Sequence, residues 1–383
     1  MPKLRIGIDA RLAGTKHGGI GRYIQNLLLE LPGLTDDVNW VVFFHDKAQA
    51  DEVLTPMVRG ELSRLEIRFA PVRHYTFAEQ LQMPAILAAA QLDLLHVPHF
   101  NIALGYQGKL VITIHDLLWH EQRGIGVTTL PAVYYWLKHW VYGWVVRAAI
   151  TRAKQILVPA ETIKQTVARF YPQAVSKVAV TPEGIGSAFA AELKKSPQPT
   201  LSQLQSRIAS KTLVYVGSLY PHKNVEVVLQ ALQQLPDWKL ILVGSRSVFQ
   251  EETLARAQAL NVATQVEWKG FLSDQELVPL LQRSMALVQP SLSEGFGLTG
   301  VEAMACGVSV IASDIPIFHE VYQDGAIYFS PQSAAELVKV LSDLEAESIH
   351  GKIMKGLKIA AKYQWRKMAE ETNMTYMKVL KGG

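Results

Sequence analysis

One cysteine, Cys306, is all that 383 residues contain. That excludes a disulfide framework and a cysteine-built zinc site. Long apolar runs are also lacking. No uncharged stretch reaches the roughly 18 residues of a membrane span. No apolar signal segment precedes the first strand pattern, which begins directly after MPK. Strong charge of one sign is missing too. Through residue 184 there are 19 Lys+Arg against 15 Asp+Glu, and the rest is balanced at 19 against 19, which gives the net +4. That excess is too small and scattered for nucleic acid, though it suits a weak approach to an anionic membrane or substrate. No Asp-x-Asp metal motif occurs. These absences lead us to expect a cytoplasmic protein, with peripheral contact to the cytoplasmic membrane face left open.

What is present is the composition of a globular chain, 49% hydrophobic and 19% charged, of a length that suits two domains or three. Short runs rich in Val, Ile and Leu recur at 4–8, 41–44, 65–69, 94–97, 110–114, 156–158 and 178–180. They recur again at 213–216, 240–243, 266–268, 286–288, 308–312 and 327–329. Runs apolar on both faces, alternating with longer helical patterns, read as buried parallel strands with crossover helices. The polar stretch 184–211, with Pro197 and Pro199, has no strand pattern and separates two such series. The reading is α/β, with a domain over 1–184 and another over 185–364. A terminal helix is expected from about Ala360 to Leu380. Ligands of open parallel sheets sit beyond the carboxyl ends of the strands, so the loops there are where chemistry is sought.

Five stretches stand out. Gly18-Gly19-Ile20-Gly21-Arg22-Tyr23 reads as a glycine loop opening a helix, able to face a phosphate or to be a plain turn. Val216 to Asn224 follows a strand and puts Lys223 where a helix would begin, placed for a diphosphate or merely solvated. Ile114-His115-Asp116 ends another strand, with His96 and His99 one strand earlier. Such histidines serve as acid–base or polar contacts, or as structural groups. The aromatic stretch Tyr134 to Trp144 reads as a helix with Leu137, Val141, Trp144, Val145 and Ala148 on its core face. Its surplus aromatics suit core packing, an apolar acceptor groove or a membrane-surface patch.

The fifth stretch, SEGFGLTGVE, spells G-x-G-x-x-G at Gly295, Gly297 and Gly300, with Asp314 at the end of the next strand pattern. A dinucleotide site is therefore a rival reading. Against it, the motif follows a late strand, Pro290 to Glu294 intervene, and Glu294 would set a carboxylate beside the pyrophosphate. The spacing of Glu294 and Glu302 says more. Glu294 should project from the loop and Glu302 should fall in the first turn of the next helix. The backbone N–H groups of Phe296, Gly297, Leu298 and Thr299 would lie between them. Carboxylates suit sugar and ribose hydroxyls, and helix-start donors suit phosphate oxygens. Equally, Glu302 reads as an ordinary acidic first-turn residue.

Taken together these residues resemble the retaining nucleotide-sugar glycosyltransferases of group 1, family 4. The most specific mark is Glu-x7-Glu at Glu294 and Glu302. VYVGSLYPHKN, VEWKGFLSD and VIASDIPIFHEV are similar to the family's other second-domain signatures. GIDARL with GGIGRY, YTFAEQLQMPAIL and ITIHDLLW resemble its bacterial mannosyl- and rhamnosyltransferase branch. The resemblance implies the GT-B fold, two Rossmann-like doubly wound domains facing across a cleft, with a terminal helix, about residues 365–383 around Trp365, packing back on the first domain. It implies transfer of a hexosyl group from a nucleotide diphosphate sugar, GDP-mannose by branch, to a glycan or polyprenyl-linked acceptor. Neither a metal nor another cofactor is implied.

By the same resemblance Glu302 would bind ribose hydroxyls and Glu294 the donor sugar. Lys223, with the N–H groups around Phe296, Gly297 and Leu298, would hold the diphosphate. Gly19 would lie against that diphosphate, His115 would touch the sugar, and Phe271 would lie near the base. The family commonly has an arginine where this chain has Ser218, and Pro-Arg-Lys-Asn where this chain has Pro221-His222-Lys223-Asn224. One fixed charge of the donor-binding set is thus missing, and Arg22 or His222 is a candidate to replace it. If His222 does, activity should decline as pH rises through about 6.5. The missing charge keeps a second rival open, a nucleotide-sugar binding protein without turnover.

Overall fold

The computed structural model describes residues 3–57, 59–121, 132–195, 199–244 and 249–382. The chain forms two compact units, Met1–Gly184 with Trp365–Gly383, and Ile185–Gln364. All thirteen apolar runs are strands. In the first unit they are β1 (Leu4–Asp9), β2 (Val38–Phe44), β3 (Leu65–Phe69), β4 (Leu94–Val97), β5 (Leu110–Thr113), β6 (Gln155–Val158) and β7 (Val178–Val180). They form one parallel sheet in the order β3-β2-β1-β4-β5-β6-β7. In the second unit β8 (Thr212–Val216), β9 (Lys239–Val243), β10 (Val266–Gly270), β11 (Ala286–Gln289), β12 (Ser309–Ser313) and β13 (Ala326–Phe329) form a second. Its order is β10-β9-β8-β11-β12-β13, again parallel.

The patterning explains this. Every residue of β4, β5, β6, β11 and β12 is buried, as central strands covered by helices on both faces must be. Each sheet reverses its winding once, between β1 and β4 and between β8 and β11. At such a switch point the loops leaving adjacent strands diverge and open a crevice. Among its described residues the stretch 184–211 holds no strand; its helices are Ser187–Lys194 and Leu201–Ser210, the second started by a reciprocal capping box between Thr200 and Gln203.

Four local expectations need correction. The stretch Gly18–Tyr23 is not a loop: the helix Gly18–Glu30 begins at Gly18 itself. A side chain at Gly19 would meet nothing within 4 Å, whereas one at Gly21 would collide with the Gly14 carbonyl oxygen. Glycine is required for helix-to-turn packing at Gly21, not at Gly19. The terminal helix begins at Trp365 rather than near 360 and runs to Leu380, and a separate helix, Ala346–Ala360, precedes it. Within the first unit the last helix is held by Tyr376, whose hydroxyl lies 2.6 Å from His96 Nδ1, and by Lys109 Nζ donating to the Val379 and Leu380 carbonyls.

The third correction concerns the helix Ala132–Arg152. Its inward face is Tyr135, Val146, Ala149 and Ile150, while Leu137, Val141 and Trp144, expected inside, are exposed. Both faces are apolar, so hydrophobic spacing does not say which one the protein covers. The fourth is Glu302, which lies in the second turn of the helix Leu298–Ala305 and not in its first.

Candidate active site

The second unit's switch point is built from the loops after β8 and β11. Gly217, at φ 154°, turns the chain out of β8, and the Tyr215 hydroxyl donates to the Ser218 carbonyl at 2.5 Å. A short turn, Pro221–Lys223, then ends on Asn224 in the left-handed conformation. Asn224 Nδ2 donates to Pro290 O at 3.0 Å and to Pro331 O at 2.8 Å, and Leu292 N donates to His222 O at 2.8 Å. The loops after β8, β11 and β13 are therefore tied together, largely through the Asn224 side chain.

On that tied platform Lys223 and Glu294 meet. Lys223 Nζ lies 2.7 Å from Glu294 Oε2, and Ser291 Oγ donates to Glu294 Oε1 at 2.8 Å. Both side chains keep some exposure, 20% and 13%, so a ligand can still reach them. An ammonium, an oriented carboxylate and a helix start stand together, a set able to bind polyol and phosphate in one place.

The glycines beside them have a packing cause. A side chain at Gly297 or Gly300 would run into Tyr322. The Tyr322 ring stacks on Phe318, and its hydroxyl donates to Gln289 Oε1 and, at 2.5 Å, to the Gly297 carbonyl. Gly297, at φ 90°, caps the helix Leu298–Ala305. A buried tyrosine beneath the loop therefore accounts for Gly297 and Gly300 without a dinucleotide. Asp314, the carboxylate of that rival reading, is engaged with His319 Nε2 at 2.6 Å.

The remaining second-unit candidates divide. Phe296 is buried and meets the Tyr363 ring edge-on at 5.2 Å, so only its backbone is offered to a ligand. Leu298 opens the helix, and Ser218 stands beside Lys223's loop. Glu302 is buried, near Cys306, whose thiol is pushed up by burial and then by the Glu302 charge. Phe271 is exposed, directly after Gly270 at the end of β10. His222 stacks on Tyr220.

In the first unit, His115 packs edge-on against Tyr23 with ring centroids 4.8 Å apart. Its Nε2 donates to Pro98 O at 3.2 Å, and its Nδ1 lies 3.4 Å from Glu183 Oε1. Gly19 is the second residue of its helix. His96 lies inside β4, its Nε2 2.8 Å from Thr113 Oγ1. Burial, followed by the neighbouring His115, pushes His96 and His99 down to about 3.

The sequence reading missed the charged cluster at this unit's own switch point. Arg11, just beyond β1, donates to Asp9 at 2.8 and 2.6 Å, to Glu79 Oε1 at 2.8 Å and to Val72 O at 3.0 Å. Asn101 Nδ2 and Tyr75 N both donate to Glu79 Oε2 at 2.8 Å. Burial alone would raise the Asp9 carboxyl; the Arg11 guanidinium outweighs it and holds Asp9 below the usual carboxylate range. Arg11 and Glu79 are 68 residues apart, and no local spacing signals their meeting.

Among the described residues no three His, Cys, Asp or Glu side chains cluster as a metal site. No described helix is long and apolar enough to cross a membrane.

Comparison with known proteins agrees with this geometry. The family described as Glycosyl transferases group 1 matches residues 202–362, and Glycosyltransferase Family 4 matches residues 17–188. The O-antigen chain mannosyltransferase RfbU of Salmonella typhimurium is 24% identical over 297 residues, 76% of each chain. The GDP-mannose:cellobiosyl-diphosphopolyprenol alpha-mannosyltransferase of Xanthomonas campestris is 28% identical over 221 residues, 53% of this chain and 58% of the relative. The sucrose-phosphate synthase of Thermosynechococcus elongatus shares the fold at a TM-score of 0.76 and 18% identity, covering 100% of both chains. With both halves of its length matched, the chain is a glycosyltransferase of the GT-B fold and belongs to the group 1, family 4 glycosyltransferases.

Proposed function

We propose that the chain moves a mannosyl group from GDP-mannose, with retention at the anomeric carbon and without a metal, to a glycan carried on a polyprenyl lipid at a membrane surface. The observation that carries the site is the Lys223–Glu294 pair at the β8/β11 switch point, beside the start of the helix Leu298–Ala305. The choice of sugar, base and acceptor leans on the relatives, two of which are named mannosyltransferases and one for a diphosphopolyprenol acceptor.

Breaking the sugar–phosphate bond leaves two electrons on the departing diphosphate. The Lys223 ammonium and the N–H groups of Leu298 and Thr299 stabilise that charge; one such preorganised donor is worth roughly 3 kcal/mol. Glu294, held by Ser291, orients the sugar through its hydroxyls. The acceptor oxygen bonds to the anomeric carbon on the face the phosphate leaves, and its proton passes to that phosphate. No carboxylate nucleophile is needed, and Glu302 is assigned to the ribose hydroxyls.

The test is to incubate the protein with GDP-mannose and a diphosphopolyprenol-linked oligosaccharide in EDTA and determine the product anomer by NMR. An α-mannosyl product supports the reading. A β product, or transfer only from another donor or only with added metal, overturns the corresponding part.

A further inference from the structure

The helix Ala132–Arg152 is apolar on the side that faces away from its own unit. Val133, Trp136, Leu137, Trp140, Val141 and Trp144 are all exposed, Trp140 to 71% and Val133 to 85%. At 100° per residue these positions fall on one face, opposite the buried Tyr135, Val146, Ala149 and Ile150. Three tryptophans bared within about 12 Å of helix, in an exposed stretch from Val133 to Trp144 about 17 Å long, form a contiguous patch that water does not favour. The helix is braced from behind: His139 stacks on Trp119, Tyr142 meets Phe100, and His120 Nδ1 lies 2.9 Å from the Tyr142 hydroxyl.

Charge identifies the occupant. Residues 132–160 contain no Asp or Glu and four Lys or Arg. Lys138 lies over the Tyr134 ring at 5.3 Å, and Arg147 is exposed at the patch's edge. A hollow of about 370 Å³ opens there, walled by Trp140, Tyr142 and Trp144 with Arg147. Tryptophan and tyrosine with a lysine and arginine fringe suit the headgroup layer of an anionic bilayer, where amphipathic rings and cations are both satisfied. A second copy docking face to face would bring the same cations against each other, with no acid on the face to meet them.

We propose that the outward face of this helix seats the first unit on the surface of an anionic bilayer. Trp136, Trp140 and Trp144 enter the headgroup layer, and Lys138 and Arg147 meet lipid phosphates. The proposal deepens the reading above, in which the acceptor is carried on a lipid.

The test is flotation of the full chain with vesicles of phosphatidylethanolamine and phosphatidylglycerol, against vesicles of phosphatidylcholine. It needs neither donor nor acceptor, so failure to float is distinct from failure of the transferase reading. The natural protein should float with the anionic vesicles. The combined variant Trp136→Gln, Trp140→Gln, Trp144→Gln should lose at least about tenfold in partitioning with an unchanged circular dichroism melt. Lys138→Glu with Arg147→Glu should abolish the preference for anionic lipid. If the tryptophan variant does not fold, quenching of the natural protein's fluorescence by brominated lipid, reduced in Trp140→Phe, tests the same contact. No flotation of the natural protein, undiminished flotation of a folded tryptophan variant, or bound protein without quenching would each overturn the proposal. So would a dimer that the tryptophan substitutions dissociate and that does not bind vesicles.

Discussion

Lys223 Nζ and Glu294 Oε2 stand 2.7 Å apart although 71 residues of chain separate them. Their strands, β8 and β11, are neighbours in the sheet, and their loops are tied by the Asn224 and Leu292 hydrogen bonds. The pair is thus a product of topology, and each partner positions the other. If Lys223 stabilises the leaving diphosphate, Lys223→Ala should lower kcat/KM by about 100-fold or more. Glu294→Ala should abolish transfer, with an unchanged melting profile in both cases. Near-normal steady-state rates in a folded Glu294→Ala protein would remove this pair from the reaction.

The Ser218 departure predicts a gain. Ser218→Arg should return the second cation to the phosphate end of the site and lower the KM for donor by up to about tenfold, the scale of one charge-assisted hydrogen bond. Steady-state kinetics would read it, and an unchanged KM would mean that other groups already complete the site.

Tyr322 beneath the glycine loop predicts coupling. Gly300→Ala forces a methyl group into its ring and should destabilise by about 1–3 kcal/mol in urea denaturation. Tyr322→Leu should recover part of that loss, giving an interaction energy above about 0.5 kcal/mol in a double-mutant cycle. Strict additivity would mean that the glycine serves something other than this packing.

The buried Arg11 cluster is a stability device. Arg11→Met removes the guanidinium from two buried carboxylates, Asp9 losing its ion-pair partner and Glu79 keeping Asn101, Tyr75 N and His74, and should cost about 3–5 kcal/mol, read as a lowered denaturation midpoint. A change below about 1 kcal/mol would contradict that role.

Acid should destabilise the fold from about pH 6.5 downward. Unfolded histidine protonates near 6.5, whereas His96 and His99, buried, do so only near 3. Protons therefore favour the unfolded chain across that window, by about 1.4 kcal/mol per pH unit for each histidine. Asp9 and Glu79, held below their ordinary values of 3.8 and 4.5, lose their contribution as pH falls further. His96→Gln should shallow the dependence of stability on pH between 6 and 4 by about half. An unchanged slope would show that His96 does not titrate with unfolding.

The central strands were legible because a strand covered on both faces must be continuously apolar, whereas the edge strands β3 and β10 alternate apolar with charged residues. The Glu294 and Lys223 loops were legible because strand ends in parallel sheets are where sites form. The start of the first helix was not, because three glycines read as a turn while the packing of Gly21 on Gly14 sets them in a helix. The inward face of Ala132–Arg152 was not, since apolar residues surround that helix. The contacts of Arg11 with Glu79 and of Tyr322 with Gly297 were not, because each joins elements far apart in the chain.

The nucleoside-diphosphate site proposed for the second unit works without metal. Thermal stability with GDP, UDP, ADP, dTDP and NAD, each with Mg²⁺ and with EDTA, tests it most directly. A ligand at 100 times its Kd stabilises by about 2.7 kcal/mol, well within reach of the method. GDP should raise the midpoint equally in EDTA, and Glu302→Ala should remove that shift. Stabilisation by NAD alone, or by GDP only in the presence of Mg²⁺, would contradict a metal-free nucleoside-diphosphate site.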